Sequence, residues 1–268
     1  MLQTLQRSET QSGTAYIDRG HRGETVVLIH GVGMRAEAWL PQIDRLAERF
    51  RVIAVDLPGH GNSPPLGKPA LLPHFVEWFD RTLGELETGP VNVAGHSMGA
   101  LIATGMAATA PRKVKRVALL NGVHRRGDAA RRAVEARADE IISGTFDREA
   151  PLARWFADDE RHGEAYALAR ALLDVVDPSG YATAYKAFAT GDSVYSDCWP
   201  RVTCPALFLT GDGDLNSTAE MARDMAAAAP RGAAVVVEGH RHMVNLTAPK
   251  AVNEALIRWL DQEVDNDV

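Results

Sequence analysis

The chain has 268 residues, with 29 Lys+Arg against 35 Asp+Glu for a net charge of −6; it is long enough to bury a large core and carries no polybasic block, which argues against a nucleic-acid partner. Its 46% hydrophobic and 24% charged residues exclude a disordered or fibrous chain. Two cysteines, Cys198 and Cys204, are too few for a disulfide framework and too isolated for a zinc cluster, so no metal and no cofactor is expected. Residues 1–20 hold no signal-like apolar run, and no stretch approaches the roughly 18 apolar residues of a membrane helix, so a cytoplasmic protein with no membrane partner is expected. The sequons at Asn216 and Asn245 are then chance matches.

In chain order, short β-branched runs at 14–17, 25–29, 52–55, 91–94 and 116–120 alternate with helical periodicity, the pattern of a mostly parallel sheet covered by helices. Residues 41–50 place Ile43, Leu46, Ala47 and Phe50 on one face, and 74–87 place Phe75, Phe79, Leu83 and Leu86 on one stripe. From 123 to 197 no strand-like run occurs, and the segment reads as short helices. The sheet rhythm resumes at 206–209 and 233–237, followed by an amphipathic helix from about Pro249 with Val252, Leu256, Trp259 and Leu260 inward. The expected organisation is one α/β core, 1–122 with 198–268, interrupted by a helical insertion at 123–197. No internal repeat interrupts it.

The chemistry-bearing motif is Gly95-His96-Ser97-Met98-Gly99, set directly after the strand 91–94 and before the small-residue helix 100–108. A sharp strand-to-helix turn lifts the serine oxygen into a cleft, and glycine on both sides lets neighbouring backbone pass. By chance alone a G-x-S-x-G is common; in this context it points to nucleophilic catalysis.

With this motif, His30-Gly31-Val32-Gly33 after a strand, and Asp56-Leu57-Pro58-Gly59-His60-Gly61-Asn62-Ser63, the chain resembles the α/β-hydrolase superfamily over nearly its whole length. The resemblance implies an eight-stranded, mostly parallel sheet with a helical lid after the sixth strand, and a triad in the order Ser, Asp, His. Ser97 is then the nucleophile. In Gly211-Asp212-Gly213-Asp214 the family's acid matches Asp214 rather than Asp212, and the seven-residue spacing from the base to Pro249 matches His242 rather than His240. Arg241 stands where the family usually has glycine, and Thr247 where it usually has glutamate. A calcium loop at 212–223 fails because Ser217 replaces the required glycine and Arg223 the required glutamate; the His240/His242 pair alone is an incomplete metal shell. The implied oxyanion donors are the backbone N–H groups of Met98 and Val32. His30, His60 and His96 are read as bracing or packing groups.

In this superfamily the lid sets substrate choice. Its basic start places Arg125, Arg126, Arg131 and Arg132 as candidate anchors for a substrate carboxylate, against the alternative of a solvated helix face. Trp155, Phe156, Tyr181 and Phe188 are candidate cavity-lining residues, against internal packing of the lid. Lid placement, Asp177-Pro178-Ser179-Gly180-Tyr181 and total size are similar to small-metabolite hydrolases of the 3-oxoadipate enol-lactonase kind. The expected function is a serine hydrolase that forms an acyl-enzyme on an ester, lactone or activated amide of a small metabolite, one bearing a carboxylate if the arginines bind it. The alternatives are a carbon–carbon bond hydrolase, whose group usually has Trp where Met243 stands, and a ligand-binding member without turnover. Epoxide hydrolases and dehalogenases are disfavoured because their nucleophile is aspartate.

Overall fold

A computed structural model describes residues 5–67 and 70–264, so the expected chain ends at 1 and 268 lie outside the described residues. In chain order its elements are β1 Ser8–Glu9, β2 Ala15–Arg19, β3 Thr25–Ile29, α1 Leu40–Leu46, β4 Arg51–Val55, α2 Leu72–Glu85, β5 Val91–His96, α3 Met98–Thr109 and β6 Val114–Leu120. Four helices follow, α4 Asp128–Ile142, α5 Glu149–Trp155, α6 Glu164–Asp174 and α7 Pro178–Gly191. The chain then returns through β7 Ala206–Gly211, α8 Ala219–Ala228, β8 Gly232–Val237, α9 Val244–Thr247 and α10 Pro249–Leu260.

The eight strands form one sheet in the order β1-β2-β4-β3-β5-β6-β7-β8. β2 runs antiparallel to both β1 and β4, and every other neighbouring pair is parallel. Burial on both faces explains the near-continuous apolar strands. Successive side chains go to opposite faces: Val27, Ile29, Ile53, Val55, Val93, Val117 and Leu119 enter one core, and Val26, Leu28, Val52, Ala54, Ala94, Ala118 and Leu120 the other. The first core is covered by α2, α3 and α8, whose Phe75, Phe79, Ile102, Met106 and Met225 are fully or almost fully buried. The second is covered by α1 and α10 through Ile43, Leu46, Val252, Leu256 and Trp259.

Between β6 and β7 the described residues form no strand. The inserted helices dock on the sheet through a glycine contact: a Cβ on Gly180 of α7 would fall 2.0 Å from the Gly59 carbonyl oxygen. The Asp177 side chain caps this helix by accepting from Gly180 N at 2.7 Å. The Asp-Pro-Ser-Gly segment thus starts a helix and lets it lie directly on the turn after β4.

Candidate active site

Every loop that meets the cavity around Ser97 from the sheet side leaves the carboxyl end of a parallel strand: β3 delivers Gly31 and Val32, β5 Ser97, β7 Asp214 and β8 the loop to His242. That is where open α/β sheets collect ligands. The cavity holds about 310 Å³, and its other wall comes from α4, α5 and α7. A second cavity of about 220 Å³ lies at the opposite end of the sheet, near Val114, Pro205 and Arg231.

Ser97 sits between β5 and α3 with φ 55° and ψ −111°, a conformation costing an L-residue on the order of 1–3 kcal/mol. The surroundings enforce it. A Cβ at Gly95 would lie 2.0 Å from Gly99 O, and one at Gly99 would lie 2.1 Å from Ile29 O, so the turn closes only with glycine at both positions. Ser97 N donates to Leu120 O at 2.9 Å, fixing the turn to β6. As the first residue of α3, Met98 has an N–H that the helix itself cannot pair. Val32 lines the cavity.

The ring of His242, the expected base, meets Asp214: Nδ1 donates to Oδ2 at 2.7 Å, and both side chains are buried. Burial would raise the Asp214 carboxyl, but His242, the backbone N–H of Asn216 and the Asn121 amide hold it below the usual aspartate range. Asn121 Nδ2 donates to Oδ2 at 2.8 Å, and Asn216 N and Ser217 N donate to Oδ1 at 2.9 and 3.1 Å. Asp214 therefore remains an anion that fixes the imidazole by its Nδ1–H. Asp212 instead accepts from Gly239 N at 2.8 Å, and His240 Nδ1 lies 2.9 Å from Thr247 Oγ1. Neither joins Ser97 in the cavity lining.

Three further buried histidines brace this wall. His30 Nε2 accepts from Leu57 N at 2.9 Å while Nδ1 donates to Gly31 O at 2.7 Å. His60 Nε2 accepts from Gly33 N at 3.1 Å while Nδ1 donates to Pro58 O at 3.1 Å. His96 Nε2 donates to His242 O at 2.8 Å. Burial lowers all three, His60 and His96 to about 3, so they act as neutral rings. Beneath the β3 loop, Arg7 joins Glu37 at 2.5 Å and Asp56 at 2.6 Å in a buried cluster. Asp56 also accepts from Ala36 N and Asn62 N; the aspartate of the D-x-P-G-x-G-x-S turn is scaffolding.

On the helical wall the residues differ from those expected. Trp155, Tyr181 and Phe188 line the cavity, but Phe156 does not: it turns into the core and packs edge-on against Tyr166 at 5.3 Å. None of the four proposed arginines lines it. Arg125 is exposed and pairs with Asp197, and Arg132 is exposed. Arg126 is buried away from the cavity with its guanidinium 4.4 Å from the centre of the Phe188 ring, its backbone N donating to Asp192 at 2.7 Å. Arg131 also binds Asp192, at 3.2 Å. Asp192, just past α7, thus gathers the start of α4, and this pairing occupies the basic segment.

The cations that do line the cavity are Arg137, Arg154 and Arg241. On α4 the lining residues Ala130, Ala133, Val134 and Arg137 recur at i, i+3, i+4 and i+7, one helical stripe. A cation continuing a small apolar stripe was the available sequence signal. Arg137 Nη1 donates to Tyr185 Oη at 3.1 Å. Burial and nearby Arg137 both lower Arg154. Among the described residues, none of these three arginines forms an ion pair with an acidic side chain. Arg137 and Arg154 thus present positive charge on the helical wall with no acidic side chain paired to it, an arrangement that suits an anion.

Among the described residues no group of three His, Cys, Asp or Glu side chains is placed to hold a metal ion, and no helix is long and apolar enough to cross a membrane.

A curated relative from Acinetobacter baylyi (strain ATCC 33305 / BD413 / ADP1), (E)-2-((N-methylformamido)methylene)succinate hydrolase, is 51% identical over 258 residues, covering 96% of this chain and 97% of the relative. The solved enol-lactonase from Burkholderia xenovorans LB400 matches with TM-score 0.81 at 28% identity, over 96% of this chain and 100% of that one. A thermophilic esterase from Thermogutta terrifontis, solved with malate bound, matches with TM-score 0.85 at 24% identity over 96% and 98%, a likeness of fold alone. A model described as the alpha/beta hydrolase family matches residues 26–255. With that match spanning most of the chain and the sheet order and connections described above, the protein belongs to the α/β-hydrolase family.

Proposed function

We propose that this protein is a serine hydrolase that cleaves an activated acyl bond, most readily the N-acyl bond of an enamide, in a small dicarboxylate. The observation that carries the reading is one cavity lined by Ser97 and by the His242–Asp214 pair, with Arg137 and Arg154 on the opposite wall, neither in an ion pair with an acidic side chain among the described residues. The A. baylyi relative, named for an N-formyl enamide of a succinate, supports the same substrate class.

In this reading His242 takes the proton of Ser97 as its oxygen attacks the acyl carbon, and the resulting oxyanion is met by Met98 N–H and Val32 N–H. Collapse of the intermediate breaks the C–N bond, and the imidazolium gives its proton to the departing nitrogen. Conjugation of that nitrogen with the alkene and its carboxylate makes it a better leaving group than an ordinary amine. Water, deprotonated by His242, then releases the acyl group from Ser97 as an acid. The inserted helices act as the lid, and Arg137 and Arg154 hold substrate carboxylates by charge-assisted hydrogen bonds. The partner is this small molecule, and water is the only co-substrate.

Intact-protein mass spectrometry after fluorophosphonate treatment tests the nucleophile: one adduct is expected on the parent and none on Ser97→Ala. Release of formate from (E)-2-((N-methylformamido)methylene)succinate tests the substrate class. Undiminished labelling of Ser97→Ala overturns the mechanism, and a parent that hydrolyses simple esters but not this enamide overturns the substrate assignment.

A further inference from the structure

Two contacts of the histidine loop go beyond what a Ser–His–Asp arrangement requires. Arg241, between His240 and His242, sends Nη1 to Phe156 O at 3.0 Å and to Ala153 O at 3.5 Å, at the end of α5 where helical carbonyls lack partners of their own. Its own carbonyl accepts from Asn121 Nδ2 at 3.3 Å, the amide that also donates to Asp214. Between those two carbonyl-bearing residues lies Trp155. Its ring stacks on His242, with centroids 6.0 Å apart and planes 25° apart.

The geometry points to Arg241 and Trp155 as a positioning pair: Arg241 pins the end of α5 to the histidine loop, and Trp155, so held, supports the His242 ring when it becomes an imidazolium. The inference rests on the serine-hydrolase reading, in which that ring is neutral at rest and cationic while the oxyanion exists. An indole face attracts a cation more than a neutral ring, so the contact strengthens toward the transition state and lowers the barrier. The other groups facing His242 are Asp214 at Nδ1, the neutral His96 ring at 5.0 Å, Ser97, the neighbouring Arg241 on its own loop, and across the cavity Arg137 and Arg154. Asp214 favours the imidazolium and the three guanidinium groups oppose it; Trp155 adds a favourable contribution on a ring face.

The test is p-nitrophenyl acetate hydrolysis by the parent, Trp155→Leu, Trp155→Phe, Arg241→Gly and the Trp155→Leu/Arg241→Gly double variant. Trp155→Leu is expected to lower kcat about fivefold, the equivalent of about 1 kcal/mol. It is also expected to move the acid limb of kcat/KM to lower pH, because loss of the indole disfavours protonation. Trp155→Phe restores most of both. Arg241→Gly removes a cation as well as the pin, so it is read in kcat alone: the double variant is expected to be no slower than the slower single, since both changes undo one arrangement. Losses that multiply, or an acid limb that Trp155→Leu leaves in place, overturn the pairing. NMR titration of the His242 imidazole reads the same displacement without turnover. If fluorophosphonate fails to label Ser97 the hydrolase reading falls, and the titration still decides the stacking: movement to lower pH in Trp155→Leu supports it, and no movement ends it.

Discussion

On the sheet side of the cavity, Ser97, Asp214 and His242 stand on turns at the carboxyl ends of parallel strands; on the helical side, Arg137, Arg154 and Trp155 project from α4 and α5. The first wall is fixed by backbone sterics. Gly95 and Gly99 allow a turn that no other residue fits, and buried neutral histidines tie loop amides in place. The second wall is fixed by side-chain packing and charge on ordinary helices, where many sequences would give the same backbone. In the proposed reading, chemistry therefore resides where the fold leaves little choice, and substrate selection where it leaves much.

The comparison breaks most visibly at Ser97 and His242, the residues the proposal makes nucleophile and base. Ser97→Ala and His242→Ala are each expected to lower kcat by roughly three to six orders of magnitude, while His240→Ala stays within about tenfold of the parent, because His240 bonds Thr247 and does not reach the acid. Steady-state hydrolysis of p-nitrophenyl acetate measures all three. Equal losses for the two histidines would remove the assignment of the base.

These two walls were unequally legible in the sequence. The strands of the core follow their β-branched runs to within about two residues, because burial on both faces demands continuous apolar character. β1, two exposed residues Ser8 and Glu9, had no hydrophobic signal to announce it. The residues before α1 form a separate 3-10 turn, Ala36–Trp39, because Ala36 N is held by Asp56 rather than by a helix. Ser97, Asp214 and His242 were legible as residues of one cavity because their motifs carry fixed backbone demands. The arginines were not: local charge density singled out 125–132, whereas access to the cavity depends on helical phase. Arg131 and Arg132 lie off the stripe that ends in Arg137, and Asp192, sixty residues away in sequence from Arg132, captures the start of α4. In the sequence Arg241 is only a departure from the family's glycine, and nothing local signals that it reaches α5.

A smaller effect sharpens the contrast within the helical wall. Arg137→Gln and Arg154→Gln are each expected to reduce kcat/KM for the dicarboxylate about ten- to a hundredfold relative to its dimethyl ester, from the loss of a charge-assisted hydrogen bond of about 1.5–3 kcal/mol. Arg125→Gln and Arg132→Gln, on the exposed surface, are expected to leave that ratio within about twofold of the parent. The ratio isolates the charge because both substrates react at the same serine. A preference unaltered in Arg137→Gln and Arg154→Gln would return the cavity arginines to a purely structural role.

The smallest effect returns to the sheet-side wall and concerns stability. His30, His60 and His96 are buried neutral, and in His30 and His60 the ring nitrogen that a proton would occupy already accepts a backbone N–H. Their folded values lie below an unfolded value of about 6.5. Above that pH both states are neutral at these rings, and stability is fully retained. Below it the unfolded chain binds protons that the folded chain refuses, so stability falls by up to about 1.4 kcal/mol per pH unit for each group. For His60 and His96 the window extends down to about pH 3. Asp214, whose folded value is depressed below the usual aspartate range, loses its contribution only as pH falls through the carboxylate region, at the lower end of that window. Chemical unfolding followed between pH 8 and 5 therefore reads mainly the buried histidines, to which His124, also lowered by burial, adds. His60→Gln is expected to be less stable than the parent at pH 8, since the Gly33 N–H loses its imidazole acceptor, yet to lose stability more slowly between pH 6.5 and 5, by about one group's share of the slope. A variant that follows the parent's slope would mean that the His60 ring accepts a proton without unfolding, and that its bond to Gly33 does not brace the loop carrying Val32.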